Sequence, residues 1–112
     1  MNLNDYGKMC HEANQKWWPS DVRTRNKGEA IALMHSELSE ALEGERKNLK
    51  DEKLPHRLAA EVEFADTLIR IFDYCHAFGY DLEGAFREKM AYNAVREDHK
   101  LENRMKENGK KF

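Results

Sequence analysis

Apolar residues recur at three- and four-residue steps along most of this chain, the spacing of helices that bury one face. A first helix is expected from about Asn4 to Lys16, with Asn4 or Asp5 as its N-cap. Trp17-Trp18-Pro19-Ser20-Asp21 ends it, since proline cannot continue the backbone ladder and restricts the residue before it. A second helix spans about Lys27 to Lys47, where Ile31, Met34, Leu38, Ala41 and Leu42 share a face. A polar connection follows, Asn48 to Leu54. A third helix is expected to start near Pro55, a residue suited to a first turn, and to run to Phe78. Its stripe of Leu58, Val62, Ala65, Ile69 and Phe72 is flanked by Phe64, Leu68, Ile71, Cys75 and Phe78. An apolar arc that broad needs more than one neighbouring helix. Gly79 is the expected left-handed stop, and Asp81 the cap of a fourth helix running to about Glu97. Leu82, Ala85, Phe86, Met90 and Tyr92 are its apolar members. Residues 97–112 are polar and read as a flexible tail or a segment that crosses to a partner subunit.

This pattern predicts an all-α fold, a four-helix bundle. At 112 residues the chain is expected to form one domain, 1–112, around one core. The wide apolar face of the third helix suggests that a second copy completes the bundle, as a homodimer or homotetramer with closed symmetry. With 36% charged residues, long charge-covered helices fit the composition. The net charge of −2 argues against nucleic acid as a partner, and Lys106, Lys110 and Lys111 read as a solvated cluster. Cys10 and Cys75 make neither a metal cluster nor a disulfide framework. Met1-Asn2-Leu3-Asn4-Asp5 lacks the basic and apolar runs of a secretory leader, and no stretch approaches the roughly 18 apolar residues of a membrane span. The expectation is a soluble, cytoplasmic protein without a membrane partner.

Chemistry is suggested by four carboxylates. Glu37 and Glu40 stand three apart on the second helix, Glu63 and Asp66 three apart on the third. Residues so spaced have side chains about 5–6 Å from each other, and antiparallel packing can bring the two pairs together. Glu37 lies four after Leu33 and four before Ala41, at or inside the buried arc; Asp66 is four after Val62 and three before Ile69. Carboxylates crowded beside a core repel one another and lose hydration unless countered. A hard divalent cation counters them, and all-oxygen ligation suits Mg²⁺ or Mn²⁺, which share their shell with substrate phosphates. Against this, a chain with 21 acidic residues places several pairs three apart by chance, most of them solvated or in salt bridges, as Glu43, Glu45, Glu83 and Glu88 read. Spacing alone leaves both readings open.

Residues 33–44, Leu-Met-His-Ser-Glu-Leu-Ser-Glu-Ala-Leu-Glu-Gly, and 63–70, Glu-Phe-Ala-Asp-Thr-Leu-Ile-Arg, carry a resemblance. This E-x-x-E helix followed by an E-x-x-D helix resembles the signature of the MazG-like all-α nucleoside triphosphate pyrophosphohydrolases. Here 22 residues lie between Glu40 and Glu63, similar to family spacing. The segment 88–96, Glu-Lys-Met-Ala-Tyr-Asn-Ala-Val-Arg, is similar to the family's K-x-x-x-N segment, and Asn-Gly-Lys-Lys-Phe to its usual terminus. The resemblance implies a MazG-like bundle with Glu37, Glu40, Glu63 and Asp66 as metal ligands, and with Lys89 and Asn93 touching the nucleotide. Two departures stand out. Ser36 occupies a position where many members carry a further acid, which bears on how many cations bind. The stretch from Glu97 to Asn108 is longer and more polar than the family's basic end, so Arg96, His99 and Lys100 match only weakly.

The implied reaction is attack of water on the α-phosphorus of a (deoxy)nucleoside triphosphate, giving the monophosphate and pyrophosphate, as in nucleotide-pool control or house-cleaning. Metal ions on the four acids would lower the pKa of water and clamp phosphate oxygens, a glutamate of the first pair would orient the water, and Lys89 would add a point charge. The base needs an apolar wall with a few polar groups. Trp17 and Trp18 are adjacent aromatics, of which one belongs to the core and the other is free to stack on a base. His11, Asn14 and Lys16 on the preceding turns are placed to read base or sugar edges. Two alternatives stand beside this: a non-catalytic helical dimerisation module, and the same fold acting as a phosphoribosyl-ATP pyrophosphohydrolase.

Overall fold

The computed structural model describes residues 1–96; the tail expected at 97–112, with His99 and Lys100, lies outside the described residues. Among the described residues the structure is all-helical, with four α-helices and no strand. Helix α1 spans Leu3–Asn14, α2 Lys27–Lys47, α3 Ala59–Ala77 and α4 Leu82–Val95, with 3₁₀ turns at Gln15–Trp17 and Val22–Thr24. No helix among them is long and apolar enough to cross a membrane. The chain divides into two compact units, Met1–Tyr80 and the part from Asp81 onward.

The helix ends follow local chemistry. Asn2, two residues before the expected cap, accepts from Asp5 N–H at 3.0 Å while Asp5 accepts from Asn2 N–H at 2.8 Å, a reciprocal capping box. Trp18 is extended (φ −98°, ψ 147°), as a residue before proline must be. Asn26 caps α2 through Glu29 N–H, and Asn48 closes it in the left-handed conformation (φ 53°). Gly79 turns left-handed (φ 72°) and Asp81 caps α4 through Gly84 N–H, both as expected.

Pro55 does not begin α3. The connector instead folds back on itself: Ala59 N–H donates to Leu49 O and Asp51 N–H to Arg57 O, each at 3.0 Å, around an isolated bridge between Lys50 and Leu58. Asp51 Oδ2 takes the N–H groups of Lys53 and Leu54, so a turn outcompetes the helical start. The helix begins at Ala59, where Glu61 reaches back to Leu58 N–H at 2.9 Å.

Within the first unit α3 is central and packs on α1 and on α2. The α2–α3 pair is antiparallel, since Gly44 near the end of α2 meets Ala59 at the start of α3, while Lys27 donates to Tyr80 beyond the end of α3. Close approach relies on small residues. A Cβ on Gly44 would sit 3.1 Å from Ala59 Cβ, and one on Gly7 would sit 3.0 Å from Phe72 O. Buried positions include Ala30, Ala41, Ala60 and Tyr74, and no large side chain among the described residues is completely buried. The stripes expected to form the core are therefore only partly covered within one chain. Leu58, which precedes α3, and Ile69 within it are exposed, as are Ile31, Leu38 and Leu42 of α2.

Candidate metal centre and adjoining cavity

Antiparallel packing sets the middle of α2 against the first half of α3 and gathers acids at the seam. One carboxylate oxygen from each of Glu37, Glu63 and Asp66 lies within 4.8 Å of the other two. Glu40 is outside that trio yet acts on Glu63 by charge and by a hydrogen bond. Glu63 is pushed up to about 8, first by Glu37 beside it, then by burial, then by Glu40. Its Oε2 is buried without a hydrogen-bond partner. Burial raises Asp66, with the charges of Glu37, Asp51 and Glu40 adding to it and Arg70 opposing. Arg70 holds Glu37 Oε1 through Nε and Nη2, each at 3.3 Å. Ser36, at the position of the missing further acid, turns its hydroxyl back to Leu33 O at 2.6 Å.

Such a cluster is relieved by a shared proton or by a cation. An all-oxygen donor set with an orphaned buried oxygen fits a hard divalent ion.

Two cavities flank the cluster. The first, about 410 Å³, has Glu37, Asp66 and Arg70 on its wall together with Asn14, Trp17 and Trp18. Met34, Ile69 and Tyr74 supply apolar surface. The second, about 590 Å³, is lined by Glu40, Glu63 and Asp66 along with Lys50 and Lys53 of the connector. Asp66 borders both.

The tryptophans differ. Trp17 is 72% exposed, whereas Trp18 is half-buried and fixed. Its Nε1 donates to Asp73 Oδ2 at 3.0 Å, the Arg25 guanidinium stands 4.3 Å from its ring centroid, and His11 and Phe78 meet it edge-on. His11 Nδ1 is 2.7 Å from Asp73 Oδ1, and because the carboxylate only accepts, that nitrogen carries the proton. His11 thus braces Trp18 through Asp73. Lys16 lies over the Trp17 ring at 5.1 Å. Trio and cavities are built wholly from the first unit. Lys89 and Asn93 belong to the second, on α4, where Lys89 Nζ lies 4.9 Å from the Tyr92 ring centroid and Asn93 Oδ1 is buried without a hydrogen-bond partner. Of the acids read as solvated or in salt bridges, Glu43 pairs with Lys47 and Glu83 with Arg87.

Sequence reasoning missed Asp73, Arg70, Arg25 and Asp51. Asp73 carried a signal: it lies four after Ile69 and four before Ala77, an acid within an apolar arc, the same criterion that singled out Asp66. Arg25 and Asp51 sit outside the α-helices, where periodicity is silent.

Compared with known proteins, the chain matches no family model, no curated protein and no solved structure at a significant level.

Proposed function

We propose that this chain is a divalent-cation-dependent hydrolase that cleaves nucleoside triphosphates between the α and β phosphates, with the MazG-like pyrophosphohydrolases as its relatives. The observation that carries the reading is the acid seam of α2 and α3, where Glu63 is raised to about 8 and keeps a buried oxygen without a partner, beside a cavity with tryptophans on its wall. Glu37, Glu63 and Asp66, with Glu40 adjoining, are the residues that would hold the ion. A bound Mg²⁺ or Mn²⁺ supplies Lewis-acid polarisation of phosphate oxygens and lowers the pKa of water.

The chain's own groups do the rest. Arg70 orients Glu37 and offers charge at the edge of the cavity that Glu37 and Asp66 line. Trp17, exposed and on the cavity wall, is free to stack on a base, while Trp18 is held as a rigid side. Asn14 offers both donor and acceptor to base or sugar. Lys89 and Asn93 enter this reading by resemblance alone. The exposed apolar residues Ile31, Leu38 and Leu42, spaced seven and four apart on α2, and Phe64 and Leu68 on α3, support a second copy as their cover.

The test is a panel of ribo- and deoxynucleoside triphosphates with Mg²⁺, scored for monophosphate and pyrophosphate together. Equimolar release of both is expected. Orthophosphate alone, or no turnover of any triphosphate, would sink the proposal.

A further inference from the structure

Three acids line the first cavity, and only Glu37 and Asp66 belong to the metal trio; the third is Asp73. Its residue is 7% exposed, and the acid is neither surface charge nor ligand. His11 and Trp18 occupy one acceptor position on each of its oxygens. An ionised carboxylate has roughly four such positions, which leaves about two. A buried anion with acceptor capacity left over favours an N–H donor and repels a carbonyl oxygen.

Rigidity makes that preference selective. Trp18 is tied at Nε1 by Asp73, covered on one face by Arg25, and wedged edge-on by His11 and Phe78. A wall so held cannot swing aside to suit a mismatched ring. Cytosine, adenine and guanine each present exocyclic amino protons. Uracil and thymine present one N–H flanked by two carbonyl oxygens, which an anion repels.

We infer that Asp73 is the specificity-determining residue of this cavity, and that the cavity takes nucleosides whose base bears an exocyclic amino group in preference to uracil or thymine. The inference rests on the cavity being the nucleoside side of the proposed site, and its test needs neither metal nor hydrolysis. Deoxycytidine and deoxyuridine are titrated into the metal-free protein, read by the fluorescence of its two tryptophans, both on the cavity wall. Deoxycytidine is expected to bind more tightly by on the order of tenfold or more. Asp73→Asn, with helical circular dichroism retained, brings the ratio near one. Deoxycytidine carrying two methyl groups on its exocyclic nitrogen loses the advantage on the wild-type protein, which decides the matter should Asp73→Asn fail to fold. Equal affinities, no binding of either nucleoside, or an advantage that survives both changes would overturn the inference. A failure of all triphosphates to turn over would instead remove the proposed reaction and leave this binding contrast standing.

Discussion

Asp73 and Glu63 are acids of one helix, ten positions apart, and they live under opposite conditions. Asp73 faces the α1 side of α3, where His11 and Trp18 each donate to one of its oxygens. Glu63 is drawn into the α2 side, where its neighbours are Glu37 and Glu40 and one oxygen is buried with no donor. At about 100° per residue the two point roughly 80° apart around the same axis. One seam supplies its acid with a donor on each oxygen. The other is left in tension, and unsatisfied buried polar groups of that kind mark where a ligand belongs.

Breaking the unsatisfied seam should give the largest effect. Glu37→Gln or Asp66→Asn is expected to lower kcat by about a thousandfold or more while helical circular dichroism is unchanged. Substantial turnover in both variants would remove the ligand assignment. Breaking the satisfied seam should cost stability instead. Trp18→Ala removes a half-buried ring and a donor of Asp73, and is expected to cost about 3 kcal/mol in denaturant melts. Trp17→Ala should leave the melt nearly unchanged and raise KM. Equal, purely destabilising effects would erase the distinction between the two tryptophans.

The contrast sharpens with pH. Folded Glu63 holds its proton to about 8, whereas the unfolded chain releases it near the ordinary 4.5. Between those values the folded state binds more protons, so the metal-free protein loses stability as pH rises through about 8. In the proposed site Mg²⁺ would replace the proton, so its stabilisation should grow over the same range. Thermal melts at about pH 6 and about pH 9, with and without Mg²⁺ at matched ionic strength, read both trends. A melting temperature indifferent to Mg²⁺ at about pH 9 would contradict the cation site. The smallest effect belongs to a third acid of α3. Glu61 is exposed, capping Leu58 N–H and pairing with Arg57, so Glu61→Ala should lower Tm slightly and leave kcat and KM alone.

Much of the helical plan was legible, because periodicity and caps are local. Lys27–Lys47 matches the expected second helix at both ends, and Gly79 and Asp81 punctuate the chain as their chemistry requires. Pro55 misled because its suitability for a first turn competed with a connector whose Asp51 ties up two backbone donors. The acid pairs were visible as spacing, and the inward lean of Glu37 and Asp66 followed from apolar neighbours four residues away. Asp73 shared that local signal, but its role did not follow from it. Its partners come from 55 and 62 positions earlier, and no local pattern announces a hydrogen bond across that distance.

The folded-back connector has one more consequence. Leu49 with Ala59 and Asp51 with Arg57 fasten the excursion at its neck, so the tip around Pro55 and His56 hangs outside the clasp. Extra residues spliced into that tip would lengthen a fringe without sliding α3 along α2, since loop closure grows costlier only slowly with length. Alignment of the two acid helices is thereby insulated from drift in the segment joining them.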